Sequence, residues 1–220
     1  WDAVFDDISF TTMAFGGGLD RDRKGDIDDP GAILSPSFLF VDDRRTMRFG
    51  GLRQDVRVDL GEHLLLKLGG EAKQIESDYD YFNTSRQIVE LPTGNPGTVH
   101  DTVDVDLNPS GSEITGYLAA RVRPIDRLTA EVGLRYDRIS HTNDSDLAPR
   151  ILTALQLGDG TVLRASWGTY YQSHGVHELE VGDGEEQFFP ADRATLLAVG
   201  VEHRFPGDLS VRLELYNRSI

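Results

Sequence analysis

Apolar and charged side chains alternate along long segments of this sequence. Between positions 127 and 140 the even positions are apolar or aromatic: Leu128, Ala130, Val132, Leu134 and Tyr136. The odd positions are polar, charged or glycine: Thr129, Glu131, Gly133, Arg135 and Asp137. Because successive side chains of a strand point to opposite sides, this segment predicts a β-strand with one apolar face and one charged face. The same alternation recurs at 51–60, 64–73, 112–123, 194–205 and 209–215.

The segment 147–217 predicts two β-hairpins in series. A GDG turn at 158–160 closes the first hairpin, and a PGD turn at 206–208 closes the second. The connection between the hairpins, 172–193, is much longer. Short turns at one end of a sheet and long loops at the other are typical of an up-and-down outer-membrane barrel.

The whole chain predicts an all-β fold of about nine antiparallel strands without helical periodicity. Polar, glycine-rich segments at 16–31 and 83–111 predict long loops, and 141–146 predicts a shorter connection. The predicted strands are 3–15, 44–60, 63–81, 112–123, 127–140, 147–157, 161–171, 194–205 and 209–217.

Composition excludes several classes of protein. The chain of 220 residues fits one domain, and its net charge of −15 argues against nucleic acid as a partner, because phosphate binding needs a cationic surface. The sequence contains no cysteine, which excludes disulfides and thiolate metal sites. No apolar run approaches the roughly 20 residues of a membrane helix.

Two β architectures fit the alternation. A soluble β-sandwich that binds carbohydrate or protein has apolar residues inside and polar residues outside, and it remains the alternative. Three features favour a membrane barrel. The predicted strands are longer than the usual ~5–6 residues, and loop lengths differ between the two ends of the sheet. Aromatic residues also lie near strand ends on the apolar phase, at Tyr136, Trp167 and Phe205.

Several motifs resemble the β-barrel of TonB-dependent outer-membrane receptors. GLRYD at 133–137 is followed by LAPR at 147–150, which is similar to an SPR-type strand start. The strand LRASWG, at 163–168, leads into a long loop, and the strand ending in EHRF, at 202–205, enters a short turn. The earlier pair of strands at 51–81 looks like a hairpin of the same family. The resemblance covers most of residues 41–218.

The resemblance implies an outer-membrane receptor or transporter with about 22 strands and a plugged lumen. Such a protein binds a scarce small molecule at its outer loops, and the TonB energy-coupling protein drives the uptake. The sequence contains no recognisable plug and no signal peptide, so we expect residues 1–220 to be one section of the barrel wall. The expected surroundings are outer-membrane lipid. Neither a cofactor nor an enzymatic activity is predicted.

Three residues are the candidates for ligand contact. Tyr170, Tyr171 and His174 lie where a predicted strand enters the long loop predicted at 172–193. Ligand sites of barrels lie on loops held by a rigid wall, so we expect these side chains at the mouth.

Metal-binding motifs are incomplete. The segment 20–25 begins like a calcium loop, but Lys24 and Gly31 occupy ligand positions. Asp104, Asp106 and Asn108 lack the required glycine. His174 and His177 have no identifiable third ligand. We therefore predict no metal site.

Overall fold

The computed structural model describes residues 1–29, 36–90, 96–207 and 209–220. These residues form a single antiparallel sheet of eleven strands. A 3-10 turn at Val181–Asp183 is the one helical element among the described residues. The strands are β1 Asp2–Phe5, β2 Ile8–Asp28, β3 Pro36–Asp59, β4 Leu64–Glu90, β5 Pro96–Leu107, β6 Ser110–Ile125, β7 Leu128–Ile139, β8 Asp144–Gly158, β9 Thr161–Gln172, β10 Asp192–Arg204 and β11 Ser210–Ser219.

Neighbouring strands follow chain order across the sheet. β4 pairs with β6 near its start and with β5 near its end. The pairings Glu76↔Ser110 and Tyr79↔Leu107 belong to one register along β4. β5 and β6 are therefore two consecutive parts of one strand that runs antiparallel to β4. Pro109 lies at the break between them, where it has no N–H to donate. The all-β, up-and-down architecture is therefore confirmed. The sheet is open, with β1 and β11 at its two edges.

The predicted first strand, 3–15, was wrong in one respect. A tight turn at Asp6 and Asp7 divides it into β1 and β2, and Asp6 has a positive φ of 46°. Aspartate tolerates this left-handed conformation better than most residues do. β1 then pairs back onto β2 from Asp2↔Thr11 to Phe5↔Ile8.

The predicted loops at 16–31 and 83–111 were also largely wrong. The described parts of both are strand: β2 continues to Asp28, β4 continues to Glu90, and β5 pairs with β4. Residues 30–35 and 91–95 lie outside the described residues. The glycines at 16–18 do not interrupt β2, since Gly17 pairs with Phe49 and a Cβ at Gly17 would come within 2.9 Å of the Phe49 ring. An aromatic ring over a glycine compensates for the missing side chain.

The outer ends of β2 to β5 continue the sheet beyond the exposed apolar residues described in the next paragraph. We call this part of the sheet the outer extension. It comprises residues 16–28 of β2, 36–50 of β3, 74–90 of β4 and β5. Charged residues on neighbouring strands pair here, as Lys24 with Asp42 at 2.9 Å and Arg44 with Asp80 at 3.9 Å. The hydrogen bond from Lys24 lowers the pKa of Asp42. Such cross-strand pairs support a strand that has no apolar face.

One face of the remaining sheet is an exposed apolar band. Leu52, Leu118, Val132, Leu197 and Leu213 are each at least half exposed. The predicted interfacial aromatics Tyr136, Trp167 and Phe205 are also exposed, at 40%, 40% and 42%. The opposite face carries ion pairs such as Arg53–Asp55 and Arg135–Asp137, both at 2.7 Å. We call these the apolar face and the charged face.

No helix among the described residues is both long enough and apolar enough to cross a membrane.

Candidate functional site

The connection between β9 and β10, residues 173–191, crosses the charged face of the sheet. We call it the crossing loop. It reaches the outer extension at one side and the β7–β8 turn at the other. The two points of attachment hold it over β6, β7 and β8, so that a cleft remains between loop and wall.

The first attachment is centred on Tyr79 of β4, which is 1% exposed. Its hydroxyl donates to the Val176 carbonyl at 2.8 Å and accepts from the Leu179 amide at 3.2 Å. Burial raises the pKa of this hydroxyl. Two groups of the loop backbone are thereby satisfied by one buried side chain.

Arg45 of β3 strengthens the same attachment. Its Nη1 donates to the Leu179 carbonyl at 3.2 Å, and its Nε donates to the buried Asp43 at 2.8 Å. The guanidinium lies 5.1 Å from the centre of the Tyr79 ring. The buried carboxylate therefore has a charged partner, which is the condition for burying it.

An apolar cluster completes the attachment. Val181 is fully buried and Leu179 is 4% exposed, and both pack against Tyr79, Tyr81 and Val105 of the outer extension. The cluster lies above the apolar band and joins the crossing loop to β4 and β5.

The second attachment lies at the turn between β7 and β8. The His141 Nε2 hydrogen-bonds the His174 carbonyl at 2.8 Å, and the His141 ring packs edge-on against Phe188 at 5.0 Å. The Ala191 amide donates to Asp144 at 3.0 Å. Because β8 begins at Asp144, the predicted 141–146 connection is shorter than expected, and its ends serve as anchor points.

The cleft beneath the crossing loop has a volume of about 330 Å³. Its wall comes from the charged faces of three strands, and its cover comes from the end of β9 and the start of the crossing loop. The wall includes Glu113 and Thr115 of β6, Arg135 and Asp137 of β7, and Asp146 and Arg150 of β8. The predicted residues Tyr170, Tyr171 and His174 all line the cleft.

Most charges of the wall are neutralised in pairs. Arg135 donates to both carboxylate oxygens of Asp137, and Thr115 donates to the same carboxylate at 2.6 Å. Lys73 pairs with Glu113 at 2.7 Å. These pairs hold the lower wall rigidly and leave little net charge on it.

Two polar atoms of the cleft are buried without a hydrogen-bond partner among the described residues, the Asp146 Oδ2 and the His174 Nδ1. Asp146 lies at the outer end of β8, just above the apolar segment 147–157. Burial, together with the nearby Asp144 and Asp137, raises the pKa of the Asp146 carboxyl. Unpaired buried polar atoms are rare in folded proteins, so these two are available to a bound molecule.

The sequence of residues 2–218 matches the family model described as TonB dependent receptor-like, beta-barrel. The chain belongs to the TonB-dependent receptor β-barrel family. The resemblance drawn from GLRYD and LAPR is thus confirmed. The apolar face of this receptor segment meets lipid, the charged face meets the lumen, and its location is the bacterial outer membrane.

Solved structures of similar fold agree with this membership. FpvAI in its complex with pyocin S2 has a TM-score of 0.67 at 14% identity, and the match covers 98% of this chain and 30% of that one. The outer membrane transporter YddB from Escherichia coli has a TM-score of 0.58 at 13% identity, covering 97% and 38%. The copper transporter OprC has a TM-score of 0.60 at 14% identity, covering 95% and 35%.

The receptor segment therefore spans about a third of the length of these structures. At such low identity the likeness concerns the fold. A search of curated proteins finds no sequence that matches this chain.

The outcome for the predicted site is mixed. The structure brings Tyr170, Tyr171 and His174 to one cleft, although Tyr170 and Tyr171 have opposite phases on β9 and only Tyr170 projects from the charged face. Their role in ligand binding stays a prediction. Arg135, Asp146 and Arg150 were not predicted, although the charged phase of β7 and β8 could have indicated them.

The two acidic segments that resemble calcium loops lie in strands. Residues 20–25 lie in β2 and Asp104 and Asp106 lie in β5, so neither segment is a loop that could surround an ion. Across residues 1–29, 36–90, 96–207 and 209–220, no cluster of three His, Asp or Glu side chains could hold a metal ion.

Proposed function

We propose that this chain is wall and mouth of an outer-membrane receptor that binds a scarce small molecule and admits it to the lumen in TonB-dependent uptake. The cleft beneath the crossing loop carries the proposal. It lies at the outer end of the lumenal face, and its lining combines phenols, imidazole and paired charges. Aromatic surfaces with a few convergent polar groups are typical of small-molecule sites.

The plug and the TonB contact belong to other parts of the receptor in this proposal. The barrel family model covers residues 2–218, which supports the assignment of this chain to the barrel. The soluble β-sandwich is set aside, because the described residues form one sheet whose apolar face has no second layer. Members of this family are transporters rather than enzymes, which is consistent with an uptake role.

Growth under nutrient limitation tests the proposal. Solved structures of similar fold include a copper transporter and a receptor in complex with an iron-bearing pyoverdine, so copper and iron limitation are the first conditions to apply. A deletion strain that carries the complete receptor should grow better than the empty strain under one limitation, and only when TonB is present.

Substitution of Tyr170, Tyr171 and His174 by alanine should reduce this growth while the receptor stays folded in the outer membrane. His100→Ala is the matched control, because His100 is exposed on the outer face of β5. Growth that is independent of TonB would contradict uptake. Growth that is unchanged by the triple variant would contradict the cleft as the binding site.

A further inference from the structure

Arg150 lies in the middle of the lumenal wall between two glycines. On one side it pairs with Gly133 of β7, and on the other side it pairs with Gly168 of β9. Glycine, arginine and glycine therefore form one row across three strands. Both glycines are buried.

The glycines are needed for the position of the arginine. A Cβ at Gly133 would come within 3.1 Å of the Arg150 Nε and 3.2 Å of its Cγ. A Cβ at Gly168 would come within 3.1 Å of the Arg150 Cβ and 3.3 Å of the Tyr170 hydroxyl. The Arg150 side chain thus extends over Gly133, and this contact preorganises its guanidinium.

Arg150 differs from six other lumenal arginines, because it has no carboxylate within 4.0 Å among the described residues. No hydrogen bond or ion pair links its guanidinium to any residue that the structure describes. Six other lumenal arginines have a carboxylate within 4.0 Å; they are Arg53, Arg57, Arg121, Arg135, Arg164 and Arg212.

Arg150 also joins two clefts. It lines the 330 Å³ cleft beneath the crossing loop and a second cleft of about 230 Å³ deeper in the lumen. Glu71 lines the second cleft and has no cation within 4.0 Å among the described residues. A half-buried cation without a counterion is unfavourable, so its site is suited to an anion that arrives from elsewhere.

We propose that Arg150 is an anion-binding residue of the lumen, whose guanidinium fork donates to and binds a carboxylate or phosphate group. Planar bidentate geometry makes arginine well suited to both groups. The anion belongs either to a molecule that enters through the cleft or to another segment of the receptor. The site rests on the lumenal position of Arg150 and not on uptake, so the two proposals can fail separately.

Chemical labelling of the complete receptor in detergent tests the site. Phenylglyoxal modifies arginines, and peptide mass spectrometry compares Arg150 with the ion-paired Arg135 and Arg53. If the anion is mobile, Arg150 should react faster than both, and citrate or inorganic phosphate should slow its reaction. If the anion is a carboxylate of the receptor, Arg150 should react slowly, and high sodium chloride should accelerate the reaction by screening the pair.

Three results would overturn the proposal. The first is rapid labelling of Arg150 that neither citrate nor phosphate reduces. The second is slow labelling that salt does not change, since steric shielding is insensitive to salt. The third is acceleration in Glu71→Gln, because Glu71 of the same cleft would then be the resting partner of Arg150, and no anion from elsewhere would be needed.

Glycine variants give a matched comparison. Gly133→Ala should displace Arg150 and weaken the anion effect by about 10- to 100-fold, the range expected for losing a hydrogen bond to a charged group. Gly116→Ala on β6 is the control, because a Cβ there meets nothing within 4 Å. An equal anion effect in both variants would show that the glycine row does not hold the arginine.

Discussion

The Tyr79 hydroxyl is both donor and acceptor in a site from which water is excluded. Its two partners, the Val176 carbonyl and the Leu179 amide, belong to a loop about a hundred residues further along the chain. The phenol therefore holds the crossing loop against the outer extension, and the shape of the cleft depends on it.

Tyr79→Phe should loosen the crossing loop without unfolding the barrel. Both loop groups would lose their partner, at a cost of about 1–3 kcal/mol for a buried unsatisfied group. Hydrogen exchange of amides in 173–191, followed by mass spectrometry, should accelerate by about 5- to 150-fold. Tyr216→Phe is the control, because Tyr216 is 76% exposed. Unchanged exchange in the Tyr79 variant would show that the apolar cluster alone holds the loop.

Asp146 predicts a dependence on pH. Its pKa is raised above 3.8 in the folded protein, so the unfolded chain ionises first. Because this pKa is raised, the contribution of Asp146 to the free energy of unfolding is greatest below its pKa in the unfolded chain. The contribution declines as the pH rises through its pKa in the folded protein. Asp146→Asn should therefore unfold at a higher temperature than the parent at neutral pH, with the difference vanishing in acid.

Asp144→Asn is the instructive comparison for that measurement. It also removes a negative charge near Asp146, but it weakens the hydrogen bond from the Ala191 amide. We expect it to lower the unfolding temperature. If both variants raised the unfolding temperature, the increase in Asp146→Asn would come from the loss of any negative charge at this place. It would not come from the removal of a carboxyl that is buried away from water.

At the scale of a strand, one face of β7 lies against lipid and the other lies against the aqueous lumen. Val132 lies on the apolar face and is 52% exposed, near the middle of the strand. Val132→Arg in the complete receptor should cost about 2–4 kcal/mol, the penalty for a basic side chain that faces lipid at the midplane. Heat-modifiable migration on gels should show a smaller folded fraction.

Thr129→Arg, on the lumenal face of the same strand, is the matched control. Its side chain projects towards the aqueous lumen near Glu131, and we expect nearly normal folding. Equal damage from both substitutions would contradict the assignment of the faces.

The same contrast explains which strands the sequence could predict. Within the bilayer, lipid requires apolar residues on one face, so the alternation at 127–140 and 209–217 identifies strands without any structure. Above the bilayer that requirement ends. Asp20, Asp22 and Lys24 therefore have no apolar residues on their own face of the strand, and the sequence predicts a loop there. In the structure these residues belong to β2, which cross-strand pairs with β3 support.

The candidate site was predictable only in its local part. Tyr170, Tyr171 and His174 follow from the junction of a strand with a long loop. The Arg150 row depends on the registers of β7, β8 and β9, and no local pattern sets those registers. Likewise, nothing near Tyr79 in the sequence indicates that its partner is Val176.

At the scale of the whole molecule, the two ends of the sheet should lie on opposite sides of the outer membrane. Gly184 in the crossing loop and Gly61 in the β3–β4 turn offer comparable insertion points. Both have positive φ, 79° and 76°, and a Cβ at either meets nothing within 4 Å. An epitope tag inserted after Gly184 should bind antibody on intact cells, and one after Gly61 should bind only after the outer membrane is opened. The reverse pattern would invert the assigned topology.

The length of β4 has a further consequence for how the receptor meets its surroundings. Its 27 residues extend about 90 Å along the strand, against a hydrocarbon core of about 30 Å. The outer extension therefore raises one rim of the mouth well clear of the bilayer. Barrels that crowd against this wall within the membrane contact its apolar band only, and they leave the raised rim open to solution. The raised rim thus stays accessible from solution however densely the membrane is packed.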